Sequence, residues 1–550
     1  VRTQLLLPLA IACAIGASPA FSDPLGVRVG SEEYQRELIE SALTQHGLEI
    51  DPSPEGKKID NVVVVPYDVV VSRDPWPDWL NLFHWKTDAD VVERELLFSR
   101  GEKWNADLVD ESERNLRSYL FVAVARIIAV RAPGAAAGDG VTALVVTKDL
   151  WSLRLNTDFS FVGSVLETLS VQLEERNLGG RNRDATVSYA QDLASWTLGG
   201  TYTEPWLLGE RLALTGSAAV IINRASQATE GGVGSLSVGK PLYSLETDWA
   251  WNAGVTWRRD VARLFSGASL ASYEASTGEL VPYEFGRDQV TAVAEVIRSY
   301  GRENKLDLSF GWRALVKSFN PGIPEVSTQA LSDFEANVLP RTESAGMIFV
   351  GVHAYRNEYV RRRDVDSFAI TEDYHLGPDA ALELRAAAPE FGFSSTFVEP
   401  VGSAGWTWAF GGEEGDILTA GTSIDTRYQP ELELPSSFVD TLFTVHLHNA
   451  SPFFLGFLRF HTGLQLSERF NDLDHNVFTL GGDTNLRGYP VGFIIGEQLW
   501  TANFELRTRP VEWHTVHGGL ATFVDIGDSP DAVQSPGAHG SAGLGVRLLF

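Results

Sequence analysis

From Asp149-Leu150-Trp151-Ser152 to the C-terminus the chain keeps a period of two, and no other feature narrows its fold as far. Phe443, Val445 and Leu447 alternate with Thr444, His446 and His448. Leu458, Phe460, Leu464 and Leu466 alternate with Arg459, His461, Gly463 and Gln465, and Trp500, Ala502, Phe504 and Leu506 with Thr501, Asn503, Glu505 and Arg507. Successive side chains of a strand point to opposite faces, so each segment has one apolar and one polar face. A soluble sandwich buries its apolar faces against each other. A barrel in lipid turns them outward and, by closing, leaves no free edge. Aromatic residues near the segment ends (Trp151, Tyr202, Trp206, Trp257) favour the barrel, because Trp and Tyr gather at membrane interfaces. The expected fold is therefore mainly β, a transmembrane antiparallel β-barrel over residues 151–550. At roughly 20–25 residues per strand and connection, it should have about sixteen strands, within a range of about sixteen to eighteen. Short turns at 177–182 and 205–210 are expected on the periplasmic rim. The segments 258–287, 318–343 and 389–415, rich in Gly, Ser, Pro and acids, are expected as external loops.

Hydrophobic residues make up 44% of the 550, yet beyond the N-terminus no apolar run is long enough to cross a bilayer as a helix. A net charge of −28 repels phosphates and argues against nucleic acid as a partner. Residues 1–22 read as a secretory signal peptide, with Arg2 as its positive end, Leu5 to Ile15 as its apolar core and Ser18-Pro19-Ala20 at the cleavage site. Ala10-Ile11-Ala12-Cys13 lacks the leucine of a lipoprotein box. Cys13 is the single cysteine, so cleavage leaves no disulfide and no thiolate metal site. The chain begins with Val1, and its one methionine is Met347, which fits either a literal reading of the start codon or a fragment.

Between the signal and the barrel, residues 23–56 are expected to form an N-terminal helix and linker. In the helix, over 31–46, Ser31 is the cap and Tyr34, Leu38, Ile39, Ala42 and Leu43 share a face. Residues 57–150 then read as a small α+β unit in the order β-α-α-β-β. Pro66 marks the Val62–Val71 run as an edge strand. Thr87 and Asn105 are the expected helix caps. Leu108, Leu116 and Leu120 turn inward, while Glu111, Glu113, Arg114 and Arg117 turn to water. Val122–Val130 and Val141–Thr147 are the last two strands.

Inside the barrel region lies Gly481-Gly482-Asp483-Thr484-Asn485-Leu486-Arg487-Gly488-Tyr489-Pro490, a glycine-rich loop with one central arginine between two strand-like runs. Downstream, Asn503-Phe504-Glu505-Leu506-Arg507 and Phe523-Val524-Asp525-Ile526-Gly527 each set a carboxylate in an apolar-alternating strand. This combination resembles the BamA/TamA-type outer-membrane assembly family, the bacterial surface antigens. So do Asn177-Leu178-Gly179-Gly180 and Tyr202-Thr203-Glu204-Pro205, and the β-α-α-β-β unit resembles a POTRA domain. The resemblance implies an outer-membrane barrel with a periplasmic POTRA-like domain, and a loop at 471–497 that folds back into the lumen. Its functional motif would be Gly481, Gly482, Leu486, Arg487, Gly488 and Tyr489. The family normally carries two more strands after the Gly-Leu-Gly-Val-Arg segment, whereas this chain stops at Phe550. Gly543, Gly545, Leu548 and Phe550 match the spacing of a barrel C-terminal signal at the seam. A genuine end and a truncated one both remain open.

Catalytic motifs are missing: there is no Gly-x-Ser-x-Gly elbow, His-Glu-x-x-His pair or phosphate loop in a supporting context, so no enzyme, cofactor or metal is expected. Asp472, Asp474 and Asn476 lack the glycine and closing glutamate of a calcium loop, and a solvated acidic loop is the better reading. The remaining constellation is electrostatic. Alternation turns Glu505 and Asp525 into the lumen on adjacent strands, where like charges repel unless a cation lies between them. Arg487, with a planar fork able to pair both, is the expected cation.

The resemblance implies an assembly or insertion factor in outer-membrane lipid. It would take unfolded outer-membrane proteins by β-augmentation at the POTRA-like domain and pass them through a seam between residues 152–162 and 541–550. Periplasmic or lipoprotein accessory factors are possible partners. Two alternatives remain. One is a two-partner polypeptide-secretion pore, with the 31–46 helix as its plug and an exported polypeptide as its partner. The other is a passive porin.

Overall fold

The computed structural model describes residues 32–550 apart from 73, 75–76, 120, 135–139, 163, 323–324, 367–370, 392, 413, 433–434, 483–484, 514–515, 532–536 and 550. The signal peptide, the Ser31 cap, Leu120, Asp483, Thr484 and Phe550 lie outside the described residues.

Among the described residues, eighteen strands, each antiparallel to its neighbours in the chain, run from Leu153–Val162 to His539–Leu549, and the sheet closes between those two. That is two more than about sixteen, because some connections are far shorter than the average assumed: 192–194 and 301–303 join full strands. Two strands are interrupted and resume, Glu343–Arg356 with Glu358–Arg363 and Leu499–Thr508 with Val511–Trp513.

The period of two becomes an inside and an outside. Along Asn304–Asn320, Leu306, Leu308, Phe310 and Trp312 are 37–61% exposed, as are Leu382, Leu384, Trp406 and Trp408 elsewhere round the wall. Burying one such side chain is worth about 1.5–3 kcal/mol, so a full girdle of them facing water would be untenable. With the backbone closed into ladders and the apolar residues outside, this is a transmembrane barrel.

One rim carries the turns 176–183, 205–212, 241–248 and 301–303, and the α+β unit sits against it. The other rim carries the longer connections 264–283, 321–342 and 471–498. There the helix Thr328–Asn337 buries Ala330 and Phe334 against Val281 and Phe285. The segment 389–415 is an external connection only as far as 396. Phe397–Phe410 is a strand, with Trp406 and Trp408 outward, and 411–415 turns on the α+β-facing rim.

The unit has a four-stranded sheet in the order Glu49–Ile50, Val122–Arg131, Val141–Asp149, Ile59–Tyr67. Ile59–Tyr67, the strand with Pro66, is an edge and runs parallel to Val141–Asp149. Val141–Asp149 is central and almost wholly buried. The helices Ala89–Arg94 and Ala106–Arg117 pack Val92, Val109 and Leu116 on one face of the sheet. Asn105 caps the second helix by accepting from Asp107 N–H at 2.9 Å. The helix Glu32–His46 packs Tyr34, Leu38 and Ala42 on the other face. It therefore belongs to the unit and not to a separate linker segment or a lumen plug.

Two details of the unit differ from expectation. Thr87 is not the cap. Its hydroxyl and N–H donate to Asp149, and Asp88 takes the cap position. The helix charges do not all face water: Arg117 is turned to Asp373 with its side chain 9% exposed, and likewise turned from water are Glu111 and Glu113. They are 5% and 4% exposed, turned to the barrel rim and to Ile127 N–H. Glu111 accepts from Leu245 N–H at 2.7 Å, and burial pushes its carboxyl above the usual range.

Candidate functional site

The connection 471–498 is long enough to turn back into the barrel, and a short ladder, Phe478–Leu480 with Ile494–Gly496, pins its base. Gly482 N–H donates to Tyr489 C=O at 2.6 Å, closing the loop between them. Gly481 has φ of 119°, and a Cβ there would lie 1.9 Å from the Pro490 oxygen, so only glycine fits. Leu486 is fully buried with Leu480, Ile494 and Leu499, which fixes the residue before the arginine.

Arg487 then reaches both lumen acids. Its Nε donates to Asp525 Oδ2 at 2.7 Å, its Nη2 to Asp525 Oδ1 at 2.8 Å, and its Nη1 to Glu505 Oε2 at 2.9 Å. Its backbone N–H adds a fourth bond, to Asp525 at 3.1 Å. The guanidinium also lies 3.7 Å from the centre of the Phe523 ring. Asp525 is fully buried, so it depends on this fork and on Asn503 Nδ2 at 2.9 Å. Glu505 is better supplied: Arg507 donates to it at 2.8 Å, and Arg547 of the last strand lies 3.0 Å away.

The loop also touches both sides of the barrel closure. Tyr489 Oη donates to Gly540 C=O in the last strand at 3.2 Å. Val491 N–H donates at 3.1 Å to Glu167, a lumen carboxylate 2% exposed on the second strand. Gly488 faces the last strand, where its Cβ would sit 3.8 Å from Ser541 Cβ. Gly543 and Gly545 lie in the last strand opposite Phe523 and Ala521. A Cβ on Gly543 would come within 2.4 Å of the Phe523 ring, so this glycine makes room for the aromatic face under Arg487. Leu548 pairs with Gly518 in the ladder, and nothing is described of its side chain. On the outward face, Leu544, Val546 and Leu155 of the closing strands are 86%, 69% and 65% exposed.

Below this cluster a hairpin, Glu358–Arg363 paired with residues 371–376, folds across the inner mouth. It bends away from the wall at Asn357 and at Gly377, whose φ is 86°. Its tip crosses to strands well round the barrel. Arg459 Nη1 donates to Asp364 C=O at 2.8 Å, and Arg507 Nη1 to Val365 C=O at 3.1 Å. Val365 is fully buried there. Arg507 thus holds the hairpin tip with one nitrogen and Glu505 with another. At the hairpin's base, Arg117 of the α+β unit forks onto Asp373 at 3.0 and 3.2 Å. The hairpin thus meets the unit at Asp373 and meets Arg507, beside the Arg487 cluster, at Val365.

The unit is held to the rim by a second buried cluster. His84 bridges Ser152 Oγ at 3.1 Å and Asp149 Oδ2 at 3.0 Å, and Asn177 Nδ2 donates to Thr87 Oγ1 at 2.9 Å and to Trp85 C=O at 3.0 Å. The side chains of His84 and Asp149 are fully buried, as are Ser152 and Asn177, so this arrangement joins two bodies and presents no nucleophile. On the opposite rim Asp474 takes Lys317, and Arg341 Nε at 3.2 Å, while Asp472 accepts from the N–H groups of Asp474 and Asn476. The acidic loop is thus satisfied by cations and amides of the chain itself.

Sequence alone does not single out Glu167, Arg547 or the 358–376 hairpin. Alternation puts Glu167 and Arg547 in the lumen, but nothing local says that the two ends of the sheet meet beside the loop.

No family model matches the chain, and no curated protein matches its sequence. Among solved structures, CdiB from Acinetobacter baumannii is similar at 10% identity and a TM-score of 0.40, over 98% of this chain and 90% of that one. CdiB from Escherichia coli is similar at 12% identity and a TM-score of 0.41, over 97% and 93%. BamA from Haemophilus ducreyi lacking POTRA domains 1–3 is similar at 10% identity and a TM-score of 0.36, over 94% and 93%. Likenesses at this level carry no argument about function, which rests on the geometry.

Proposed function

We propose that the protein is an outer-membrane assembly factor of the BamA/TamA type, which inserts β-barrel clients through the closure between its first and last strands. The observation that carries this reading is the inward loop, tied to both sides of that closure through Tyr489–Gly540 and Val491–Glu167. A clamp across a closure has a use if the closure opens. Opening would expose two strand edges, and an extended client strand adds to such an edge by backbone hydrogen bonding. The α+β unit, placed in the periplasm as a POTRA-like domain, would present clients from below. Its available edge is Ile59–Tyr67, since no backbone bond crosses the outer side of residues 60–67 among the described residues. The central strand Val141–Asp149 has no free edge for this purpose. The path from Arg117 through Asp373 and the hairpin to Arg507 would let the unit bias the clamp.

Polypeptide secretion is the second reading, and the hairpin across the inner mouth favours it, because a removable plug suits a conduit. The same hairpin and the inward loop weigh against a passive porin. Photo-crosslinkers at Asn61, at Leu544 and at Arg385 during envelope biogenesis separate these readings. Assembly predicts outer-membrane clients caught from Asn61 and Leu544. Secretion predicts an exported polypeptide caught from the lumen position Arg385. Capture at none of the three in cells making both kinds of client would sink the proposal.

A further inference from the structure

The segment just before the helix Ala89–Arg94 presents large apolar side chains: Trp79, Leu82 and Trp85 are 57%, 82% and 50% exposed. They lie on and beside the 3-10 turn Asp78–Phe83, and the turn is firmly held. The Asn81 side chain accepts from Val70 N–H at 2.9 Å and donates to Val70 C=O at 2.8 Å. Among the described residues, the two core clusters of the unit do not include these three side chains.

Their neighbours in the chain are fixed to the barrel rim. His84 is bonded to Ser152, one residue before the first barrel strand, and Trp85 C=O accepts from Asn177, just after the second. Asp88 N–H donates to Gly180 C=O in the same turn at 3.1 Å. The apolar turn therefore abuts the rim beneath the first three strands, beside the closure. On those strands, beyond Leu153 (43% exposed), the outward row is Leu155, Leu173 and Val187, in register across the ladder and 65%, 48% and 61% exposed. Leu155 lies three residues from Ser152, about 10 Å along the strand. The polar layer of a bilayer leaflet is about 5–8 Å deep, so groups at this rim lie at headgroup level. Tryptophan prefers that depth, where its ring is half apolar and its N–H is wet.

We propose that Trp79, Leu82 and Trp85 form a membrane-interface anchor that seats the α+β unit in the headgroup layer beside the barrel closure. The occupant is the lipid of the membrane the barrel already spans, whatever the protein carries. Such an anchor fixes how the unit sits round the barrel axis, which the polar contacts at the rim alone leave to a few side chains. A protein partner on the same surface is the alternative that the test must exclude.

Leu82 is exposed enough for a cysteine to be tolerated, and Cys13 is the one native cysteine to remove. The full chain carrying Cys13→Ser and Leu82→Cys, labelled with a polarity-sensitive dye, is reconstituted in phosphatidylcholine–phosphatidylglycerol vesicles. Glu40→Cys, exposed on the N-terminal helix, is the control. The expected result is blue-shifted emission at position 82, quenched by lipid carrying a shallow spin label and shielded from aqueous iodide, with neither effect at position 40. Emission at position 82 matching the control would overturn the anchor. So would a blue shift without lipid quenching, which would mean that protein covers the surface.

Discussion

The two walls of the barrel differ in how they are held. Beside the closure, Leu153–Val162, Asp184–Gln191 and His539–Leu549 have 10, 8 and 11 residues. Opposite, Glu284–Tyr300 and Asn304–Asn320 have 17 each. At about 3.3 Å per residue and a tilt of about 40°, ten residues rise about 25 Å and seventeen about 43 Å. The far wall overshoots the apolar band and supports the capping loops, while the near wall barely spans it. Long ladders make the far wall self-sufficient. The near wall leans on groups of the inward loop: the Tyr489 hydroxyl, the Val491 N–H and the Arg487 guanidinium. The inward loop thus substitutes for ladder length at the one place where the sheet must meet itself.

Arg487→Ala should do the most damage to the near wall. It strands Asp525, which is fully buried, while Glu505 keeps Arg507 and Arg547. Because the Arg487 side chain is 36% exposed, the cost should fall at the low end for a broken buried pair, about 3 kcal/mol. Denaturation of the purified barrel in detergent measures it. Arg487→Lys should rescue little, since an ammonium cannot fork onto Asp525. A double-mutant cycle with Asp525→Asn should show coupling of about 1–3 kcal/mol, and additive effects would mean that the pair does not act as one unit.

Gly543→Ala comes next, at about 1–3 kcal/mol, because its Cβ would press on the Phe523 ring beneath Arg487. Gly311→Ala is its counterpart on the far wall, where a Cβ would meet the Phe349 ring at 2.3 Å. Both variants should lose stability, but only Gly543→Ala should speed backbone hydrogen exchange in residues 539–549. Equal acceleration there by both would erase the distinction between the walls.

Glu167→Ala should cost about 1 kcal/mol by removing the acceptor of Val491 N–H, and Glu167→Gln less, since its amide oxygen still accepts. Thermal melting of the reconstituted barrel compares the two. Arg117→Ala should barely touch the barrel, within about 0.5 kcal/mol, because its partner Asp373 lies outside the Arg487 cluster. It should instead loosen the unit, read as faster proteolysis between residues 118 and 152.

The wall is legible in the sequence because a period of two is local: the inward turn of Glu505 and Asp525 follows from the parity of their neighbours. Their pairing with Arg487 is legible only through charge and the resemblance of the loop. Glu167 and Arg547 are not, because their importance depends on the meeting of strands far apart in the chain. The helix Ala106–Arg117 misleads for a related reason. Glu111 and Glu113 look like a solvated face, and a polar barrel rim asks for the same residues as water does. In 389–415 glycine and acid content suggest a loop, yet the alternation of Trp406 and Trp408 already carries the strand.

If the inward loop holds the closure through Arg487, losing that side chain should loosen the strands around the closure and leave the far wall untouched. Hydrogen exchange of the full chain in lipid nanodiscs, wild type against Arg487→Ala, reads this strand by strand. The expected result is faster exchange in 153–162 and 539–549, with 304–320 unchanged. Uniform acceleration round the barrel, or none at the closure, would contradict it.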